Sequence, residues 1–394
     1  MAITSLFQKQ IINPLRLFIK DSRAIGITLL VCTFISLVLS NISFTSADYT
    51  KIWLWGLHDS NEHHAHIGFL SIPNSLLIWI NDFLMAFFFF LAGMEIKREL
   101  VCGELSSIKK SLLPVIAAIG GMIAPAIIYS QCVKGTAFMN GWAVPMATDI
   151  AFTLGIASLL GKRIPVALKI FITALAIIDD LGAIVVIALF YGNGLVIGYL
   201  FLILIIMLVL WYLNKKQLSF GWVHIGLGVL LWYAMFNSGI HATVAGVLLA
   251  FMVPVKQLHH FEVKLHIPVY FIIMPLFALA NTAIVFPENT NQIFTSSFSW
   301  GIMAGLLIGK PLGIVGATYF MIQKKFAELP SDTNWHMMIG AGILCGIGFT
   351  MSIFLATLAF SNPIEQDIAK IAVLLASVLA MLIGYGWFYL RHSK

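Results

Sequence analysis

Asp179 and Asp180 stand side by side in the apolar run FITALAIIDDLGAIVVIALFYG. Carboxylate oxygens are hard donors that take either a proton or an alkali cation, so such a site can hold one species or the other but not both. On insertion scales a charged side chain near the bilayer centre costs roughly 2.5–3.5 kcal/mol, and adjacent acids at that depth point to function before drift. The alternative reading is a pair of structural acids, permanently protonated or ion-paired. Asp149, in GWAVPMATDIAFTLG, and Lys310, in GLLIGKPLGIVGA, add a third carboxylate and an ammonium at membrane depth. Adjacent carboxylates resist ionising together while a nearby ammonium favours their ionised form, so the four groups form a coupled set.

The surrounding composition fits a bilayer. The 394 residues are 60% hydrophobic and 10% charged, against about 25% charged in a soluble domain. Apolar runs long enough to span a membrane recur throughout, predicting an all-α polytopic membrane protein with about twelve transmembrane helices. These fall at about 25–39, 75–94, 111–130, 138–160, 165–190, 195–213, 219–236, 238–255, 267–285, 299–322, 336–359 and 368–390. Residues 1–24, with Phe7, Ile11, Leu15 and Phe18 at helical spacing, read as an interfacial amphipathic segment. Residues 25–390 form one transporter-sized domain, and 391–394 a short tail. Lysines and arginines cluster at alternate ends of the spans, with Lys51, Lys134 and Lys370 as exceptions, which puts both termini in the cytoplasm. That rule accounts for the net charge of +6 without nucleic acid. The four cysteines, Cys32, Cys102, Cys132 and Cys345, are scattered and suggest neither a disulfide framework nor a thiolate metal site, and no cofactor is implied.

Two spans read as broken. Pro145 precedes Met146-Ala147-Thr148-Asp149, and GAGILCGIGFTMS carries Gly340, Gly342, Gly346 and Gly348. A simple kink and close helix packing are the competing readings. Non-helical backbone at membrane depth is tolerated where it lines a buried or watery cavity, and a break beside Asp149 would let freed helix ends face an ion. The longest loop, 40–74, holds His58, His63, His64 and His66. Four histidines so close could bind a transition metal, but an unstructured polar loop is the simpler reading, with KIWLWG at the membrane interface.

Six motifs in order resemble the NhaA family of bacterial sodium/proton antiporters across nearly the whole chain: LAGMEIKREL (91–100), ATDIAF (147–152), AIIDDLGAI (176–184), SGIHATVAG (238–246), GKPLG (309–313) and GIGFTMS (346–352). The resemblance implies inverted repeats, spans three to five and ten to twelve, with broken spans four and eleven crossing near the site; NhaA is itself a standard example of that architecture. It implies a bacterial inner-membrane secondary transporter, not an enzyme, that exports Na+ and Li+ in exchange for H+, as a homodimer in lipid. By the same resemblance Asp180 binds the cation and exchanges protons with Asp179 beside it, Thr148 and Asp149 lie on the cation path, and Lys310 faces the acids. Glu95, Arg98, Glu99 and Glu262 match a cytoplasmic funnel and pH-response cluster, and His266 and His241 match histidines linked with pH response. Where the family often has a histidine after the position of Glu262, this chain has Val263.

For Glu95 and Glu99 a solvated helix end remains a competing reading, as does a hydrogen-bonded core role for His241. Exchange of two protons for one sodium would move one charge per cycle, worth about 2.3 kcal/mol per 100 mV. Two other functional classes fit less well. An intramembrane aspartyl protease needs acids from separate helices in Tyr-Asp and Gly-x-Gly-Asp contexts, which are absent from this sequence. A passive cation channel suits a lysine beside the site poorly.

Overall fold

Where no water reaches the backbone, each N–H and C=O must be paired within the chain, and apolar runs therefore fold as helices. The structure, a computed structural model, describes residues 22–56, 63–68, 70–192, 194–216, 218–286 and 291–391. In order come α1 (Ser22–Asn41), α2 (Ser46–Leu54), the hairpin β1 (His64–Ile67) and β2 (Leu70–Pro73), α3 (Leu76–Cys102) and α4 (Ile108–Cys132). A 3-10 segment, Ala137–Met146, leads into α5 (Ile150–Leu159), followed by α6 (Val166–Phe190), α7 (Ile197–Lys215), α8 (Trp222–Phe236) and α9 (Val244–Met252). The chain closes with α10 (Val255–Asn281), α11 (Ser297–Gln323), the short pair α12 (Trp335–Cys345) and α13 (Phe349–Ala359), and α14 (Pro363–Arg391).

Among the described residues, 8 helices are long and apolar enough to cross a bilayer, or up to 10 if each of two bent pairs is one span. The remaining two of the expected twelve are shorter than a span. α8 has 15 residues and α9 only 9. The run expected at 238–255 does not start as helix, because Gly239 takes a left-handed φ of 86° and the chain turns through 238–243. Residues 255–266, expected as a loop, are instead the first turns of α10, with Pro254 as the N-terminal cap. The loop 40–74 is not unstructured either. It contains α2 and an antiparallel hairpin pairing His64 with Pro73 and His66 with Ser71, so the described residues are helical with one small sheet outside the helices. The amphipathic segment 1–24 lies outside the described residues except at 22–24.

The order long helix, broken pair, long helix occurs twice, as α4, Ala137–Met146 with α5, α6, and again as α11, α12 with α13, α14. α6, which carries Asp179 and Asp180, is packed on by α3, α4, α5 and α12. Against α4 runs α11, and their backbones meet at Gly120 and Gly313, where a Cβ on either glycine would overlap the other's carbonyl oxygen. This close approach sets the depth of Lys310, one turn before Gly313. Among the described residues three π-turns interrupt otherwise α-helical spans: Trp79–Leu84 in α3, Val269–Ile273 in α10 and Gly305–Gly309 in α11. Such wide turns re-aim the residues around them and concentrate at functional sites.

The glycine contact yields a direct test. Gly313→Val should destabilise the protein by about 1–3 kcal/mol, the usual cost of overpacking a tight contact. Gly316→Ala, where an added Cβ meets nothing within 4 Å, should leave the unfolding midpoint of the purified protein unchanged. Equal midpoints for the Gly313→Val variant and wild type would refute the contact.

Candidate functional site

The two broken spans cross and complete one another. The bent pairs turn by 41° and 45°. At the first break, Ala147 and Asp149 are extended, and the Asp149 N–H donates to the Ile347 carbonyl of the second break at 2.7 Å. The Asp149 carboxylate then caps two helices. Its Oδ1 accepts from Phe152 N at 3.0 Å, at the start of its own α5; its Oδ2 accepts from Thr350 N at 3.1 Å and from the Thr350 hydroxyl, at the start of α13. A negative charge is favoured at a helix N-terminus, and here two termini share one. The freed carbonyls at the end of α12 are satisfied from the other span, Leu344 O by the Thr153 hydroxyl at 3.2 Å and Cys345 O by the Thr148 hydroxyl at 2.9 Å.

Pro145 belongs to the 3-10 segment just ahead of the first break. The four glycines divide between the two readings. Gly346 and Gly348 lie at the second break, while Gly340 and Gly342 sit within α12, against Phe388 and Pro311.

Lys310, wholly buried, is ion-paired with Asp179 Oδ2. The Thr148 hydroxyl lies 2.8 Å from the same oxygen, and its single proton can go to Asp179 or to Cys345 O, so it can accept from a protonated Asp179 as readily as it donates to an ionised one. Asp179 Oδ1 and Asp180 Oδ1 are buried with no hydrogen-bond partner. A buried polar atom left unpaired costs about 1–3 kcal/mol, more for a charged group. These two oxygens are what a proton or a small cation would satisfy. The Asp180 carboxylate is also within electrostatic reach of Asp179, Asp149, Glu95 and Lys310. Thr148, Asp149, Asp179, Asp180 and Lys310 therefore gather where the broken spans meet α6 and α11.

A second cluster lies on the end of α3 opposite the hairpin. Arg98 Nη1 contacts Glu262 Oε2 at 2.5 Å and Arg98 Nη2 contacts Glu99 Oε1 at 3.3 Å, with Glu95 one turn further in. Glu262 Oε1 is buried without a partner. Lys97 turns away from this cluster, giving hydrogen bonds to Phe251 O at 2.7 Å and Val253 O at 2.6 Å, where α9 ends. The two histidines matched to pH response lie apart, His266 one turn beyond Glu262 on α10 and His241 at the opposite end of the protein. His266 packs its ring 4.8 Å from Tyr270, and His241 Nε2 holds Tyr191 O at 2.7 Å, beside the hairpin. The turn at Gly239 carries His241 to that end. Among the described residues no group of three or more His, Cys, Asp or Glu could hold a metal, His63, His64 and His66 included; His58 lies outside the described residues.

Sequence reasoning misses Thr350, although it lies in GIGFTMS. A hydroxyl residue two positions after the last glycine of a break, where a new helix begins, is the signal that could have found it. It also misses Asp82 in LLIWINDFLMAF, an acid in an apolar run just as Asp149 is.

The Na+/H+ antiporter 1 family matches residues 16–388 of the chain. Proteins described as Na(+)/H(+) antiporter NhaA are similar over nearly full length: one from Escherichia coli O1:K1 / APEC is 44% identical over 387 residues, covering 95% of this chain and 97% of that protein. One from Citrobacter koseri is 44% identical with 96% and 98% covered, and one from Shigella boydii serotype 4 is 44% identical with 95% and 97% covered. With a multi-pass helical fold, two broken spans crossing at a buried aspartate and likeness of this extent, the chain belongs to the Na+/H+ antiporter 1 family.

Proposed function

We propose that the protein exports Na+, and Li+, in exchange for H+, with more protons than sodium moved per cycle. The observation that carries this reading is the pair of buried, unpartnered oxygens, Asp179 Oδ1 and Asp180 Oδ1, beside an ion-paired lysine. Sodium and lithium are oxygen-seeking ions. A cation entering between the two carboxylates is ligated by Asp180 and Asp179 with the Thr148 hydroxyl as a neutral donor, and competes with Lys310 for Asp179. Protons arriving at the same oxygens displace it. Competition for one site is the coupling, and no covalent chemistry is needed. An aspartyl protease reading finds no support, because adjacent residues on one helix project about 100° apart, and Lys310 occupies one of the pair.

The Arg98, Glu262, Glu99 and Glu95 cluster provides pH regulation from the cytoplasmic side, with His266 further along α10. The positive-inside distribution supports cytoplasmic termini in the bacterial inner membrane. A homodimer rests on the family likeness alone.

Three measurements test this. Asp180→Asn keeps the shape and removes both charge and titratable proton, so sodium-dependent proton flux in vesicles should vanish while the protein remains inserted; Asp179→Asn should weaken sodium affinity without abolishing flux. Wild-type flux in the Asp180→Asn variant would end the assignment. Removing Lys310 leaves a buried carboxylate without its partner, which typically costs about 3–5 kcal/mol. Lys310→Gln should therefore lower the unfolding midpoint, and the residual exchange should lose its response to an imposed voltage. The loss of voltage response is expected because Lys310, displaced from Asp179 by the cation, gives up one of the exchanged protons; a variant as stable and as voltage-sensitive as wild type would exclude Lys310 both as a structural ion-pair partner and as a proton carrier. Arg98→Ala and Glu262→Gln should each move the pH profile of exchange and leave the sodium-to-lithium preference alone, since the pair lies outside the ion site; unchanged profiles in both would remove the cluster from regulation.

A further inference from the structure

Beside the hairpin the protein opens into a cavity of about 460 Å³ lined by His63, His64, Asp82, Tyr191, His241 and Gln366, among others. Nothing in the exchange scheme above uses it, yet it contains a carboxyl group buried within an apolar span. Asp82 lies in the π-turn Trp79–Leu84 of α3 with its side chain 9% exposed, and its backbone carbonyl is held by the Trp232 indole N–H at 3.0 Å. Of the three histidines around the cavity, two are engaged. His64 Nδ1 pairs with Ser71 Oγ at 3.0 Å and His241 Nε2 with Tyr191 O at 2.7 Å. His63 is different: its Nε2 faces Asp82 Oδ2 at 3.5 Å, while its side chain is 57% exposed. The ring is stacked on Phe236, with centroids 5.5 Å apart, and lies 5.2 Å from the ring of His64. One edge of His63 thus meets the solvent and the other a buried carboxyl.

We propose that His63 and Asp82 form the entry relay for protons taken from the outer face, His63 collecting the proton from solvent and Asp82 receiving it at the mouth of the transport path. A neutral imidazole accepts a proton on one nitrogen as it gives up the proton on the other. Here a proton from water adds to Nδ1, the Nε2–H bond breaks, and that proton passes to Asp82 Oδ2, directly after a small ring movement or through one water. A return to the starting tautomer through solvent resets the ring. Nothing is oxidised or reduced, and one proton has moved from water to the carboxyl.

The neighbours favour transfer over storage. Facing His63 are His64 on its own hairpin, His241 from the 238–243 turn and Asp82 on α3, with Tyr191 at the end of α6 and Gln366 on α14 completing the wall, the phenol bonded to Asn140 O and the amide to Phe360 O. Burial of the inner edge first, and then the two histidines, push the His63 imidazole below its ordinary value, so near neutrality it does not retain the proton it collects. The relay rests on sodium/proton exchange by this chain.

The test uses right-side-out membrane vesicles loaded with sodium, with internal pH fixed and external pH varied, following sodium efflux. At alkaline external pH, where protons are scarce, His63→Gln should slow efflux several-fold; at acid external pH it should match wild type. Imidazole added outside should restore the His63→Gln rate at alkaline pH and should not restore Asp82→Asn, which lacks the acceptor. A His63→Gln profile superimposed on wild type would overturn the relay. So would a defect equal at every external pH and indifferent to imidazole, which marks a structural role. Wild-type vesicles in which sodium efflux is uncoupled from protons would dismiss the exchange reading, and the relay with it.

Discussion

Two helix N-termini point at one carboxylate. Asp149 caps α5 through Phe152 N and α13 through Thr350, and its own N–H is bonded to Ile347 O, so a single residue holds both breaks closed. The arrangement answers a constraint the bilayer imposes. Backbone that leaves the helix at membrane depth has no water to pair with, and each freed group must be met from within the protein. One broken span could not satisfy its own ends. Two that cross supply each other's partners, with Thr148 and Thr153 meeting the carbonyls released at the end of α12.

Charge balance follows from that geometry. The crossing places the Asp149 carboxylate between partial positive helix ends, and leaves Lys310 to compensate Asp179. The balance for Asp180 is left open, since its Oδ1 has no partner. A site that is nearly but not wholly compensated can accept one small positive species and release it again. Were every oxygen paired, the acids would be inert. The backbone contact at Gly120 and Gly313 matters here because it fixes how deep Lys310 sits.

Much of this is legible in the chain. Charged residues in apolar runs identify Asp149, Asp179, Asp180 and Lys310, because burying a charge is too costly for such residues to persist at membrane depth without a task. Pro145, Gly346 and Gly348 mark the breaks, while Gly340 and Gly342 serve helix packing. Composition does not say how two distant segments share hydrogen bonds, so the sequence can mark Thr350 as a helix start after Gly348 but not as the partner of Asp149. Hydropathy cannot see Gly239 in a left-handed turn; the run at 238–255 begins as a turn and its helix α9 has only 9 residues. The same turn, which the sequence does not reveal, puts His241 beside the hairpin. The loop histidines look unstructured because a hairpin of two four-residue strands, with polar and apolar residues mixed, gives almost no periodic signal.

The crossing also has a bearing on biogenesis. Asp149 and Thr350 are separated by 201 residues, and Thr148 and Cys345 by 197, so the first break emerges from the ribosome long before its partners exist. The half-helix α5 has 10 residues, too few to cross a bilayer alone. During synthesis the first repeat must therefore wait with unpaired polar groups, either at the membrane surface or sheltered by the insertion machinery, until the second repeat arrives. The hydrogen bonds that join the two breaks therefore cannot form until α12 and the start of α13 have been made.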